Sequence, residues 1–283
     1  MTSLWHYAFV HNALLAGAIV AVVAGLVGPF VVMRNMSFAV HGVAEVGFTG
    51  AAGALLIGVA PTTGMLAFTV LAAVAIGLLG VRVRERDVAI GATLAFALGL
   101  GVLFLSLYTR YANEAFNLLF GTILGISRQN VEFSAVVGLV TLLALAAVYR
   151  PLRFSSVDPD VAAARGVPVR LLSAVFLVIL AFAVAEAVQV VGVLLLLTLL
   201  ISPAAAAELI TPHPGRATAL SVLIALGCTL GGIVLALYKP WPPSFFISTL
   251  SFFVYLLARL LGPRLGARRR SVPDGAVGAR PFV

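Results

Sequence analysis

ALLAGAIVAVVAGLVGPFVVM, residues 13–33, is a run of twenty-one side chains without a single charge. As an α-helix rising about 1.5 Å per residue it reaches across the ~30 Å hydrocarbon core of a bilayer. No basic segment precedes it and no Ala-x-Ala site follows it, so it reads as part of the fold and not as a cleaved leader. Runs of the same character recur at 44–60, 62–81, 88–108, 131–149, 169–188, 190–210, 217–238 and 244–262. The whole chain is 62% hydrophobic and 10% charged, against roughly 25% charged in soluble domains. The runs are continuous and do not alternate in period two, which argues against a β-barrel. The expected fold is an all-α polytopic membrane protein with about eight to nine transmembrane helices.

A net charge of +8 would suggest a nucleic-acid partner in a soluble protein. Here the arginines sit at Arg34, in 82–86, in 150–170, at Arg216 and in the stretch beyond 262. Basic residues confined to short connections mark the cytoplasmic side, and no nucleic acid is needed to explain them. Strict alternation of nine spans puts all these clusters inside, with the N-terminus outside and the C-terminus in the cytoplasm. Tyr108, Tyr111, Tyr238 and Trp241 then fall at the outer interface, as aromatic belts do. EAFNLLFGTILGIS, residues 114–127, is too short to span, and a full crossing would turn 150–170 outward. It is expected to be a short re-entrant segment on the outer side, a backbone tolerated at that depth only against protein or a cavity. The division expected is a transmembrane permease domain over 1–262 and a basic, disordered cytoplasmic tail over 263–283. Cys228 lies inside an apolar run and reads as packing.

VDPDVAAARGVPVRLL, residues 157–172, is the longest polar interruption inside the chain. Asp158 suits an N-cap, Pro159 the first helical position, and Asp160 the positive end of the helix dipole. Gly166 can end the helix in a left-handed conformation, and Pro168 stops its continuation. A short capped helix on the cytoplasmic face is expected, placed to dock a partner. In the second span Gly47, Gly50, Ala51, Gly53 and Ala54 lie three and four residues apart, which lets a neighbouring helix come close. Pro203 lies within the 190–210 span and is expected to kink it.

Ionisable groups inside spans are expensive, so each is a candidate for function. His41 and Glu45 are four residues apart and share a helical face. An imidazole and a carboxylate together suit zinc, and such a mixed site also takes manganese or iron. Glu186, with Gln189 one turn on, is placed either to line the outer part of a pathway or to form a hydrogen-bonded structural pair. Glu208 is followed by His213 and Arg216, and a surface salt bridge is expected there. Glu114 reads as a solvated charge, and the five-residue spacing of His6 and His11 does not suit a shared ligand face. The chain holds one lysine, Lys239, in a setting without the glycine pattern of a phosphate-binding loop. Any ATP hydrolysis must therefore come from another polypeptide.

GPFVVMRNMSFAVHGVAEVGFTGAAGALLIG, DPDVAAARGVPVRLLSAVFL and VVGVLLLLTLLISPAAAAELI follow one another in this order along the chain. Together they resemble the permease subunit of bacterial zinc and manganese ABC importers, over about residues 13–262. The resemblance implies a multi-pass permease in the bacterial inner membrane that forms the pathway as a homodimer. It implies two partners, an ABC ATPase subunit and an extracytoplasmic metal-binding protein, and no tightly bound cofactor beyond the transported divalent cation. It implies that Asp158, Asp160, Ala164, Arg165 and Gly166 form the element that couples to the ATPase. After its Met-Ser the family carries an Asp and, four residues later, a His; here those positions are His41 and Glu45, the same chemistry in reversed order. A gradient-driven secondary transporter is the alternative, compatible with Pro203 and the half-span at 114–127 but leaving the docking loop unexplained. An intramembrane metalloenzyme would need a third ligand that the remaining histidines are badly placed to supply.

Overall fold

The computed structural model describes residues 7–79, 83–108 and 121–267, and those residues contain no strand. The chain runs α1 (Ala8–Met33), α2 (Ser37–Leu56), α3 (Pro61–Leu79) and α4 (Val83–Leu107), then a 3₁₀ turn at Ile123–Gly125. It continues through α5 (Arg128–Val157), the short α6 (Pro159–Ala164), α7 (Val169–Val191), α8 (Val193–Ile210), α9 (Pro214–Tyr238) and α10 (Pro243–Ala267). Eight of these helices are long and apolar enough to cross a membrane, and Pro61–Gly77 is a shorter apolar one. The chain is thus a multi-pass all-α membrane protein.

Apolar residues cover every side of these helices, so in lipid it is close packing rather than burial from water that holds them together. α1, α2 and α7 are the most enclosed, while α4 and α10 leave most of their surface facing outward. α1 packs on α5, α7, α8 and α9; α2 packs on α3 and α4; and contacts of α7 with both α3 and α2 join the two groups. Small residues make the closest crossings. A Cβ on Gly50 or Gly64 would run into the other's backbone carbonyl, and one on Gly28 would meet the carbonyl of Leu200. The glycines expected to admit a neighbour in the second span do so: Gly47 and Gly50 face α3, and Gly53 faces Phe104 of α4.

The ends of the helices sort by contact. Arg34 at the end of α1 meets Ser155 and Ser156 at the end of α5 and Ser173 near the start of α7. Met33, Glu208 and Pro214 line one cavity, which brings the ends of α1 and α8 beside the start of α9. At the opposite end Gly121 (φ 76°) stacks on the one-residue corner at Gly192 (φ 82°) between α7 and α8. A side chain on Gly121 would strike the backbone of residues 190–192.

Several boundaries differ from the sequence expectation. α2 starts at Ser37 instead of residue 44, because the closed turn after α1 launches it there, with Val40 and Val43 buried and Ser37 and His41 only partly so. α5 extends to Val157 through Pro151, beyond the apolar run at 131–149. α10 continues to Ala267, five residues into the stretch expected to be a tail; residues 268–283 lie outside the described residues. Of the expected re-entrant segment, 114–120 lie outside the described residues, and 121–127 form a single 3₁₀ turn instead of a half-helix. Pro203 sits inside α8, buried, and the helix continues through it to Ile210.

Candidate functional site

The turn that launches α2 is closed by three backbone bonds. The Arg34 N–H donates to the Phe30 carbonyl, Asn35 to Val32 and Met36 to Val31. Asn35 takes the left-handed conformation (φ 52°), and Met36 is buried behind it. This is the pairing by which a helix C-terminus satisfies its last carbonyls, with Asn in the place usually given to Gly. It sets the start of α2 one residue after the buried Met36.

His41 and Glu45 lie on the first turns of α2, separated by one helical turn. Glu45 is 7% exposed, and the intervening Val43 and Ala44 are fully enclosed. His41 Nδ1 and Glu45 Oε2 are both buried and have no hydrogen-bond partner among the described residues. One turn on, the Thr49 hydroxyl lies within donating distance of the Glu45 carbonyl (3.1 Å) and of the Ala97 carbonyl of α4. That hydroxyl stitches α2 to α4 immediately beyond the pair. The carboxylate and the imidazole are therefore held on a fixed scaffold, with two ligand-competent atoms free. Among the described residues no cluster of three or more His, Cys, Asp or Glu completes a metal shell.

Glu186 is placed elsewhere. It is wholly enclosed, and its Oε1 accepts from Ser134 Oγ of α5 at 3.0 Å. Its carboxylate fits against Gly138, where a Cβ would come within 3.2 Å of both oxygens. Glu186 Oε2 and Gln189 Oε1 have no partner among the described residues. This group belongs to the seam of α5 and α7, whereas His41 and Glu45 sit beside α4, and no hydrogen bond joins the two.

Glu208 departs from the expected surface salt bridge. It makes no ion pair with His213 or Arg216, and its Oε1 is buried without a partner among the described residues. It lines a cavity of about 220 Å³ with Pro29, Met33 and Thr211, while the His213 N–H donates to Thr211 Oγ1 at 3.4 Å. The proline-bounded turn between α8 and α9 takes His213 into local capping. His11 Nδ1 is 3.3 Å from the Tyr7 carbonyl, one turn back along the chain. His6, Tyr111 and Glu114 lie outside the described residues. Tyr238 and Trp241 are more than half exposed, and Cys228 is a buried free thiol.

α6 has the capping that the sequence predicts. Asp158 accepts from the Val161 N–H at 2.9 Å, Pro159 opens the helix and Asp160 stands in the first turn. Gly166 follows at φ 82°. Asp158, Asp160, Ala164, Arg165 and Gly166 are all exposed. Ala162 is fully buried and Arg165 lies over the Phe154 ring of α5 (5.8 Å), so one side of the short helix is seated on the bundle. Arg34 is a participant that sequence reading misses. Charge pattern alone makes it a cytoplasmic marker, but its guanidinium donates to three serine hydroxyls on two other helices. Nothing in the local sequence signals a contact across more than 120 residues.

Comparison with known proteins adds to this geometry. A profile of the ABC 3 transport family matches residues 6–262. The manganese transport system membrane protein MntC of Halalkalibacterium halodurans is 27% identical over 93% of this chain and 91% of its own length. The manganese import system permease protein ScaB of Streptococcus gordonii is 28% identical, over 93% and 95%. Among solved structures, PsaBC from Streptococcus pneumoniae in complex with Fab is similar with a TM-score of 0.84 at 26% identity, covering 95% of this chain and 97% of that one.

Proposed function

The chain belongs to the ABC 3 transport family, and from that premise we propose that it is the permease subunit of an ATP-driven importer for a divalent transition-metal cation. The observation that carries the reading is the pair of buried, unpartnered ligand atoms on α2, His41 Nδ1 and Glu45 Oε2. A buried imidazole nitrogen and a buried carboxylate oxygen without partners are costly in a membrane protein unless something uses them. A cation that sheds its water on entering the bundle does so. The neutral imidazole nitrogen and the carboxylate oxygen replace lost water ligands, and the small number of protein ligands lets the ion move on. Manganese is the first candidate cargo because two of the similar proteins carry it in their names; zinc and iron(II) fit the same donor pair. Glu186 and Gln189 are candidates for the outer part of the route.

In this reading α6 faces the cytoplasm of a bacterial cell and seats in a separate ATPase subunit. Two copies of the chain enclose the pathway, and an extracytoplasmic binding protein delivers the cation. Closure of the ATPase pair on ATP displaces α6 and changes the side to which the pathway opens.

The test is uptake by sealed vesicles that contain this chain, its ATPase and its binding protein. Manganese, zinc and iron(II) are compared with ATP, with a non-hydrolysable analogue, and with an imposed ion gradient alone. Uptake of one metal only with hydrolysable ATP is the expected result. Uptake driven by the gradient without ATP would make the chain a secondary transporter.

A further inference from the structure

Arg34 stands between the two parts of this molecule that an importer has to connect. On one side it caps α1 and belongs to the closed turn that positions α2. On the other its guanidinium reaches three hydroxyls. Nε donates to Ser156 Oγ at 2.9 Å, Nη2 to Ser155 Oγ at 2.9 Å, and Nη1 to Ser173 Oγ at 3.0 Å. Each of the three nitrogens thus has its own acceptor. The serines are oriented to accept, because each donates its proton to a carbonyl of its own helix, Ser155 and Ser156 to Leu152 and Ser173 to Val169. Their lone pairs are left for Arg34, which has only donors to offer. Beneath the clasp the guanidinium lies over the Phe176 ring (5.8 Å), and Phe176 packs on Phe30, which packs edge-on against Tyr149. The clasp therefore sits on an aromatic layer shared by α1, α5 and α7.

The three serines flank α6. Ser155 and Ser156 stand just before Asp158, which caps α6, and Ser173 lies in the second turn of α7, just after the loop that follows α6. α6 is itself seated on the end of α5 through Ala162 and through Arg165 over Phe154. A displacement of α6 is felt first at the end of α5 and the start of α7, where Arg34 is bound. Arg34 is rigidly part of the turn into α2, and His41 follows four residues after that helix begins.

We propose that Arg34 is the positioning residue that carries movement of α6 to the His41–Glu45 pair, with Ser155, Ser156 and Ser173 as its receiving contacts. This rests on the importer reading above. A basic residue that served only to orient the chain would need its charge alone, and lysine would serve as well. A clasp needs the planar fork, which lysine lacks.

The experiment uses the assembled permease–ATPase complex in vesicles, with ATP hydrolysis and manganese uptake read from the same sample. The variants are R34K, R34A and the triple S155A/S156A/S173A. The expected result is retained assembly and hydrolysis, with manganese moved per ATP falling about tenfold in R34A and in the triple variant, within the span seen for coupling through packed networks. R34K falls with them, because charge without the fork does not hold three hydroxyls. A purely structural role would lower assembly, hydrolysis and uptake together and leave their ratio unchanged. A wild-type ratio in R34K and in the triple variant overturns the proposal and leaves the importer reading standing; these two also decide the matter if R34A does not assemble. A wild-type complex that moves no metal on ATP removes the importer reading, and the proposal with it.

Discussion

At the scale of single residues, His41 and Glu45 matter through what they do not contact. Their free Nδ1 and Oε2 atoms are buried on a helix whose neighbouring positions are fully enclosed. Taking away either ligand should slow metal uptake by about tenfold or more, on the scale by which metal sites respond to loss of supporting groups. Uptake in H41A and E45A vesicles, normalised to assembled complex, checks this. The swap H41D/E45H keeps one imidazole and one carboxylate on the same face and should retain uptake, with a changed preference among manganese, zinc and iron(II). Loss of uptake in the swap equal to that in the alanine variants would show that order matters as much as donor type. The pair was legible in the sequence because an ionisable i, i+4 couple stands out in an apolar run. The Arg34 clasp was not, because its partners lie on α5 and α7 and serine is unremarkable in a membrane helix. Glu208 misled for a related reason: nearby opposite charges in sequence suggested a bridge, while across the proline turn no ion pair forms and Glu208 lines a cavity instead.

At the scale of elements, the helices are set by close backbone approach and by caps. Gly50 and Gly64 face each other across α2 and α3 with no room for a Cβ. G64L should therefore destabilise the purified protein, by about 1–3 kcal/mol as in other overpacked contacts. Gly99, on α4, has open space around it, and G99A should hold or raise stability by about 0.5–1 kcal/mol through reduced backbone freedom. Thermal unfolding in detergent separates the two, and equal destabilisation by both would contradict the packing account. For α6, D158A removes the acceptor of the Val161 N–H and should cost the short helix about 1 kcal/mol. Faster hydrogen exchange at the Val161 amide and weaker capture of the ATPase subunit are the signs to look for. The caps of α6 were readable because Asp, Pro and Gly report local backbone geometry. The start of α2 was not, because hydropathy places a boundary where polar residues begin, whereas the helix is launched by the closed turn at Arg34–Met36.

At the scale of the whole molecule, the contacts put Arg34, the seat of α6 and the launch of α2 at one end of the bundle, and the Gly121–Gly192 stack at the other. The number and class of helices could be read from apolar runs of spanning length. Which helices touch could not, since the runs are apolar all round and point no single face toward a partner. On the proposed reading, α6 and the His41–Glu45 pair are joined through one arginine. The measurement that tests the central claim most directly is ATP-dependent manganese uptake by vesicles holding the assembled complex, wild type against H41A/E45A, at equal ATP hydrolysis. The account predicts uptake by the wild type and its collapse in the double variant while hydrolysis continues. Unchanged uptake in the double variant would contradict it.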